Sequence, residues 1–305
     1  MVRLGRRAFL SLWAYSNVYT DEGRRGTRGA GKELSDLLVV FGNDVLLFSD
    51  KHCHYKETGN ASVDWGRWYR HAIVKSVDQL FGAEKWLRER PQDVFLDKFC
   101  EHRLPIPVPN VANARYHRIA VTPGSGEACR RFYGGGSSAS LLITSEVTGR
   151  TGDGSPFIVG RVSGDLPFVH VLDEMTLDIV MRELDTVADF VAYLNKKEAF
   201  FSHPGRLVLT TGEEQVLAIY LTRQNAAGEH DIPLSKDSEN ATGISIGEGF
   251  WEDLKTNPQY LAKQEADRIS YVWDELIEKF IKLGDPQLQK FPLLQAKDVS
   301  MSNRA

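Results

Sequence analysis

The sequence predicts an α/β protein in which a mixed β-sheet is flanked by helices. Three observations carry this. Runs rich in Val, Leu, Ile and Phe at 37 to 41, 45 to 49, 116 to 122 and 140 to 144 have strand length and are bounded by turn-forming residues. Apolar residues recur at helical spacing over 63 to 90 and again over 174 to 201. The two patterns alternate along the chain, as they do where helices pack on a sheet.

The elements follow in order. In "RRAFLSLW" the paired Arg6 and Arg7 resemble a twin-arginine export signal, but the apolar part ends within about ten residues and no small-residue cleavage pattern follows. The two arginines read as surface charge, with Phe9, Leu10, Leu12 and Trp13 entering the core. Residues 20 to 32, "TDEGRRGTRGAGK", read as a mobile basic loop. The runs at 37 to 41 and 45 to 49 around Gly42, Asn43 and Asp44 predict a hairpin. A helix follows to residue 90 and ends at Pro91. Strands are expected at "YHRIAVT", "SLLIT", "PFIVGRV" and "FVHVLD". The stripe Leu177, Val180, Met181, Leu184, Val187, Val191 and Leu194 predicts one amphipathic helix over 174 to 201. "RLVLTT" and "QVLAIYLT" read as further strands, and a last helix carries Ile269, Trp273, Leu276, Ile277 and Phe280.

Composition narrows the function classes. With 305 residues, 42 % of them hydrophobic, the chain can bury a sizeable core as one body with an extension. A formal net charge of −4 excludes a protein that coats nucleic acid by bulk charge. Cys53, Cys100 and Cys129 are widely spaced and odd in number, so neither a disulfide framework nor a CxxC zinc site is expected, and a cytoplasmic setting is. No run approaches the ~18 apolar residues of a membrane-spanning helix, so no membrane partner is expected.

"GTRGAGKE" contains the GxxxxGK part of a phosphate-binding loop, but Glu33 stands where that motif has Ser or Thr. The motif also needs a strand before it and a helix after it, the reverse of what surrounds it here. The hairpin is more informative. With Asn43 and Asp44 as its turn residues, Val40 pairs with Leu47, Leu38 with Ser49 and Asp36 with Lys51. One face then carries Asp36, Leu38, Val40, Leu47, Ser49 and Lys51, the other Leu37, Val39, Phe41, Leu46, Phe48 and Asp50. A one-residue change in loop length would instead bring Asp50 beside Asp36.

Glu33, Asp36 and Lys51 around this hairpin resemble the active-site signature of the PD-(D/E)xK nuclease superfamily, which has the restriction-endonuclease-like fold. That pattern is an acid in or after a first helix, an Asp at the start of one strand, and (Asp or Glu)-x-Lys at the end of the next. Asp36 matches the strand Asp, Lys51 the Lys, and Glu33 the preceding acid. Ser49 departs from the pattern by standing where the family has a carboxylate. The resemblance covers mainly residues 31 to 90. It implies a nuclease core over 1–145 with an α/β extension over 146–305, and hydrolysis of DNA phosphodiesters in microbial defence or DNA processing. It also implies a Mg²⁺ (or Mn²⁺) ion held by Asp36 with Glu33 or Asp50, and a water positioned by Lys51. Carboxylates suit a hard divalent ion, which offsets charge developing on the phosphodiester.

Lys75 and Gln79, four apart on the following helix, are candidates for contacting the phosphate, and Arg24, Arg25, Arg28 and Lys32 for gripping a nucleic-acid backbone, DNA rather than RNA. His52 and His54 lack a second ligand pair, and His230 with Asp231 lacks a nucleophile. A plainer alternative makes Asp36, Asp50 and Lys51 solvated strand ends, worth under ~1 kcal/mol as an ion pair. Two further readings keep the fold without the chemistry: a nuclease-fold protein that only binds nucleic acid or a protein partner, and an interaction subunit that pairs with a partner or with itself.

Overall fold

In the computed structural model the described residues are 4, 5, 8, 9, 13–24, 29–134, 140–152, 155–233 and 241–284, except for the side chains at 274, 275, 277, 278 and 281–284. The fold is α/β, as expected, and is built on two sheets. The larger contains β1 (Ala14–Thr20), β2 (Lys32–Phe41), β3 (Asp44–Asp50), β4 (Val94–Phe95), β5 (Arg115–Val121) and β8 (Val169–Leu172), in the spatial order β4-β1-β2-β3-β5-β8. β1, β2 and β3 form an antiparallel meander, while β5 and β8 run parallel to β3. The smaller sheet has the order β10-β9-β6-β7, from β6 (Leu142–Thr144), β7 (Ile158–Val159), β9 (Leu207–Thr210) and β10 (Gly243–Ile246).

The middle of the hairpin strands, residues 37–41 and 45–48, is continuously apolar because both faces of the large sheet are covered there. Leu38, Val40, Val45 and Leu47 point into a core shared with α1 (Ala61–Tyr69) and α2 (Lys75–Glu89). These two helices are joined without a break by a π-turn, Arg70–Val74. Together they form the helix expected over 63 to 90, and they supply the crossover that makes β5 parallel to β3. Leu37, Val39, Leu46 and Phe48 point the other way, into a core with α4 (Glu174–Glu183), α5 (Val187–Phe201) and α6 (Glu213–Thr222). The short α3 (Gly126–Phe132) follows β5, α7 (Phe250–Thr256) follows β10, and α8 (Pro258–Gly284) closes the described chain.

Four sequence expectations need correction. The amphipathic stripe over 174 to 201 is two helices, each with its own N-cap: Asp173 accepts from the Met175 and Thr176 N–H groups, and Thr186 accepts from Asp189 N–H. "QVLAIYLT" belongs to helix α6, not a strand. Its residues Gln215 to Tyr220 are buried on every side, so the apolar run has no period to distinguish the two. β1 went unread, although Tyr15, Val18 and Tyr19 are strand-forming residues.

The fourth correction sets the site. The hairpin turn is Gly42–Asn43, with Phe41 paired to Asp44, so the register lies two residues from the expected one. Gly42 takes φ +57 at the first turn position, where a glycine is favoured in two-residue hairpins. A shift of two keeps every residue on its expected face but separates Asp36 from Lys51 as direct partners. Among the described residues no helix is long and apolar enough to cross a membrane.

Candidate functional site

The open end of the hairpin is built by strands coming apart. The β2–β3 ladder stops at Leu37 and Phe48. Beyond it the Ser35 hydroxyl donates to the Phe48 and Leu37 carbonyls, both at 2.8 Å, in place of a ladder bond. Asp50 N–H then donates to Asp36 Oδ2 at 2.8 Å. β3 meanwhile stays paired with β5 as far as Asp50 and Val121, and Lys51 N–H donates to the Val121 carbonyl at 2.9 Å. On the other side a bulge between β1 and β2 leaves Leu34 unpaired and sets Glu33 opposite Tyr19. Asp36 therefore sits in a notch between diverging strands, with Glu33, Asp50 and Lys51 around it.

Glu33 and Asp50 both sense Asp36 and Lys51. Burial, and next to it the Asp36 carboxylate, raises Glu33 above the ordinary carboxylate range, against the opposing pull of Lys51. Burial and Asp36 likewise raise Asp50, against His52 and Lys51. Burial, Glu33, Asp36 and Asp97 raise the Tyr19 phenol, which places that ring beside the same carboxylates. The structure thus brings Glu33, Asp36, Asp50 and Lys51 to one end of the sheet. Asp50 meets Asp36 through its backbone N–H, as the last residue of β3.

Gln79 belongs to this neighbourhood. Ser49 is fully buried, and its hydroxyl donates to Gln79 Oε1 at 3.1 Å, tying α2 to the strand just before the notch. Lys75 lies one turn earlier on α2 and is exposed. Of the basic loop, Lys32 stands at the start of β2 but is paired with Glu22 at 2.9 Å. Arg24 lines a separate cleft with Asp21, Phe95, Cys100, Glu101 and Arg103. Arg25 and Arg28 lie outside the described residues.

Two neighbours were not singled out from the sequence. Tyr19 was missed because β1 was missed. Asp97, Glu101 and His102 form the one described group of three whose ligand-type atoms converge, within 4.8 Å of one another. Asp97 is already occupied there: its oxygens accept the Phe99 and His102 N–H groups at 2.8 Å. Although burial works against it, these donors hold its carboxyl below the usual range. That carboxylate organises the loop after β4. Glu33, Asp36 and Asp50 do not converge in this way, so they offer an ion one or two carboxylates at a time.

Comparison with known proteins finds no matching family model, no matching curated protein and no matching solved structure.

Proposed function

We propose that the chain is a metal-dependent nuclease that hydrolyses DNA phosphodiester bonds at the notch between β2 and β3. One observation carries the reading: Asp36, held by Asp50 N–H at the point where the strands part, has Glu33 and Lys51 close enough to act on each other's charge. The donor chemistry fits Mg²⁺, which commonly takes one or two carboxylates and keeps several waters. Oδ1 of Asp36 accepts no hydrogen bond from a described residue, and Glu33 or Asp50 would supply the second carboxylate. A divalent ion held there supplies charge to offset the negative charge developing on the phosphodiester. The Lys51 ammonium has no hydrogen-bond or ion-pair partner among the described residues, which leaves it available to orient a water or steady the same charge. Burial raises Glu33 and Asp50 most and the Asp36 carboxylate adds to it; a cation would offset both the desolvated charge and the repulsion. Restriction or defence as the cellular role rests on the family resemblance alone.

A second reading has its own support. Ser49 occupies the position of the family's second carboxylate, and it is fully buried with its hydroxyl bonded to Gln79. This favours a nuclease-fold protein that binds nucleic acid without cutting it.

Cleavage of plasmid and single-stranded DNA with Mg²⁺, Mn²⁺ or EDTA separates the two. Catalysis predicts metal-dependent cutting that falls by on the order of 10²-fold or more in Asp36→Ala and in Lys51→Ala, with unchanged folding by circular dichroism. Absence of cutting, together with salt-sensitive DNA binding that is indifferent to EDTA, would instead establish the binding protein.

A further inference from the structure

Exposed large apolar side chains concentrate on α8, where four of the six fall on one stripe, Val272 flanks it and Leu261 lies off it. Ile269, Trp273 and Phe280 are 69 %, 54 % and 65 % exposed, and Leu276 is exposed beside them. With Ala262 and Ala266, also exposed, they recur at alternating spacings of four and three, the a and d positions of a heptad seam. Phe280, Trp273 and Ala266 take position a; Leu276, Ile269 and Ala262 take position d. The helix rests on the rest of the protein by its opposite side. There Tyr271 donates to Asp185 Oδ2 at 2.7 Å, and the Tyr260 ring meets Trp251. The seam runs for about 27 Å at 1.5 Å per residue and is covered by none of the described elements. A stripe of this size on a soluble surface marks an interaction site.

We propose that this seam pairs with α8 of a second copy of the chain, antiparallel, as a two-stranded coiled coil. The sizes of the side chains select both the partner and the direction. In an antiparallel pair, a positions of one helix face d positions of the other. In one register Ala262 then lies opposite Phe280 of the second copy, Ala266 opposite Leu276, and Ile269 opposite Trp273. Each large side chain meets a small or medium one, and the two-fold axis repeats the match at the other end. A parallel pair would instead set Trp273 on Trp273 and Phe280 on Phe280 while leaving Ala262 on Ala262, crowding one end and emptying the other.

The charges select the same register independently. Glu265, Val272 and Lys279 share the g position flanking the seam, and in the antiparallel pair g faces g. Glu265 therefore meets Lys279 of the second copy at both ends, with Val272 on the two-fold axis. Glu265 already bonds Arg268 of its own helix at 2.9 Å, an exposed contact that a second copy's Lys279 joins. In the parallel arrangement Glu265 and Lys279 never meet.

Sedimentation equilibrium of the full chain tests this, with helix content checked by circular dichroism. The expected result is a monomer–dimer equilibrium that Leu276→Glu abolishes. Glu265→Lys and Lys279→Glu should each weaken it about tenfold, since each sets like charges against each other twice. The double swap Glu265→Lys with Lys279→Glu should restore it. A wild-type chain that stays monomeric at all concentrations overturns the proposal, as does a dimer that survives Leu276→Glu. A dimer whose charge variants are not rescued by the double swap overturns the antiparallel register. All these positions are solvent-facing, so the substitutions leave the body of the protein intact.

Discussion

Lys197 and Glu213 are both almost fully buried and are bonded to each other where α5 passes the first turn of α6. Glu213 Oε1 also accepts from the Tyr193 hydroxyl at 2.6 Å, so both its oxygens are engaged. Its neighbour Glu214, also buried, accepts from Ser140 Oγ at 2.7 and 2.8 Å. Two carboxylates at a helix N-terminus are favoured by the unpaired N–H groups there. A Cβ at Gly212, just before them, would displace Ser140 Oγ and the Glu214 carboxylate from the bond they share. Desolvating an ion pair costs about what its attraction returns, whereas removing one partner strands the other charge in a dry site. Lys197→Met is therefore expected to lower stability by about 3–5 kcal/mol in urea unfolding, and Lys197→Met with Glu213→Gln to recover most of that. A loss in the double variant equal to the sum of the losses in Lys197→Met and Glu213→Gln would mean that the pair is not coupled. The sequence hid this network because "QVLAIYLT" read as a strand, which left Glu213 and Glu214 looking like loop residues.

Among the elements, the β2–β3 hairpin shows most clearly what the sequence could tell. Its existence, its two faces and the gathering of Asp36, Asp50 and Lys51 at its open end were legible from alternation alone. The pairing was not, because Gly42, Asn43 and Asp44 allow more than one two-residue turn and only the left-handed φ of Gly42 settles the choice. That choice moves Asp44 from the turn to the first position of β3. There it accepts from Arg115 Nε at 2.8 Å and Nη2 at 2.6 Å, and lies 2.9 Å from His117 Nε2. Burial works against its charge, but the Arg115 and His117 bonds win and bring the Asp44 carboxyl from 3.8 to about 2. A group held lower in the folded state stabilises it above the unfolded value and loses that contribution as pH falls through the window from 3.8 to about 2. The effect is about 2 kcal/mol at most, because Arg115 is largely exposed and screened. Asp44→Asn should thus be less stable than wild type at pH 6, with the gap in urea midpoint narrowing as pH drops toward 3. A gap that stays constant over that range would show that the Arg115 bonds do not depend on the Asp44 charge.

At the scale of the whole molecule, the two sheets are interleaved in sequence. β8, from the second half of the chain, forms the edge of the six-stranded sheet against β5. One core joins Phe9, Leu37, Val39, Leu46, Phe48 and Ile119 to residues of α4, α5 and α6 and on to Leu254. Phe9 meets Phe190 of α5 with ring centroids 5.0 Å apart, and Phe48 meets the same ring at 6.0 Å. Separating residues 1–145 from the rest would uncover one whole face of the sheet that carries the candidate site. Each large apolar side chain returned to water costs about 1.5–3 kcal/mol, so five of them alone amount to roughly 10 kcal/mol. That is comparable to the entire stability of a typical domain, about 5–15 kcal/mol. The loss of β8 would also leave the hydrogen-bonding edge of β5 open and aggregation-prone. The isolated 1–145 fragment is therefore expected to lack near-ultraviolet circular dichroism, to bind a hydrophobic dye and to unfold without a cooperative transition, while the full chain unfolds in one. A fragment that unfolds cooperatively would mean that α1, α2 and the first five strands suffice as a folding unit. The candidate nuclease site would then stand on a self-sufficient core, with the second half an appended layer. The noncooperative outcome makes α4 to α6 part of the scaffold that holds Asp36 and Lys51 in place, so that core substitutions as distant as Phe190→Ala should weaken any activity through stability alone.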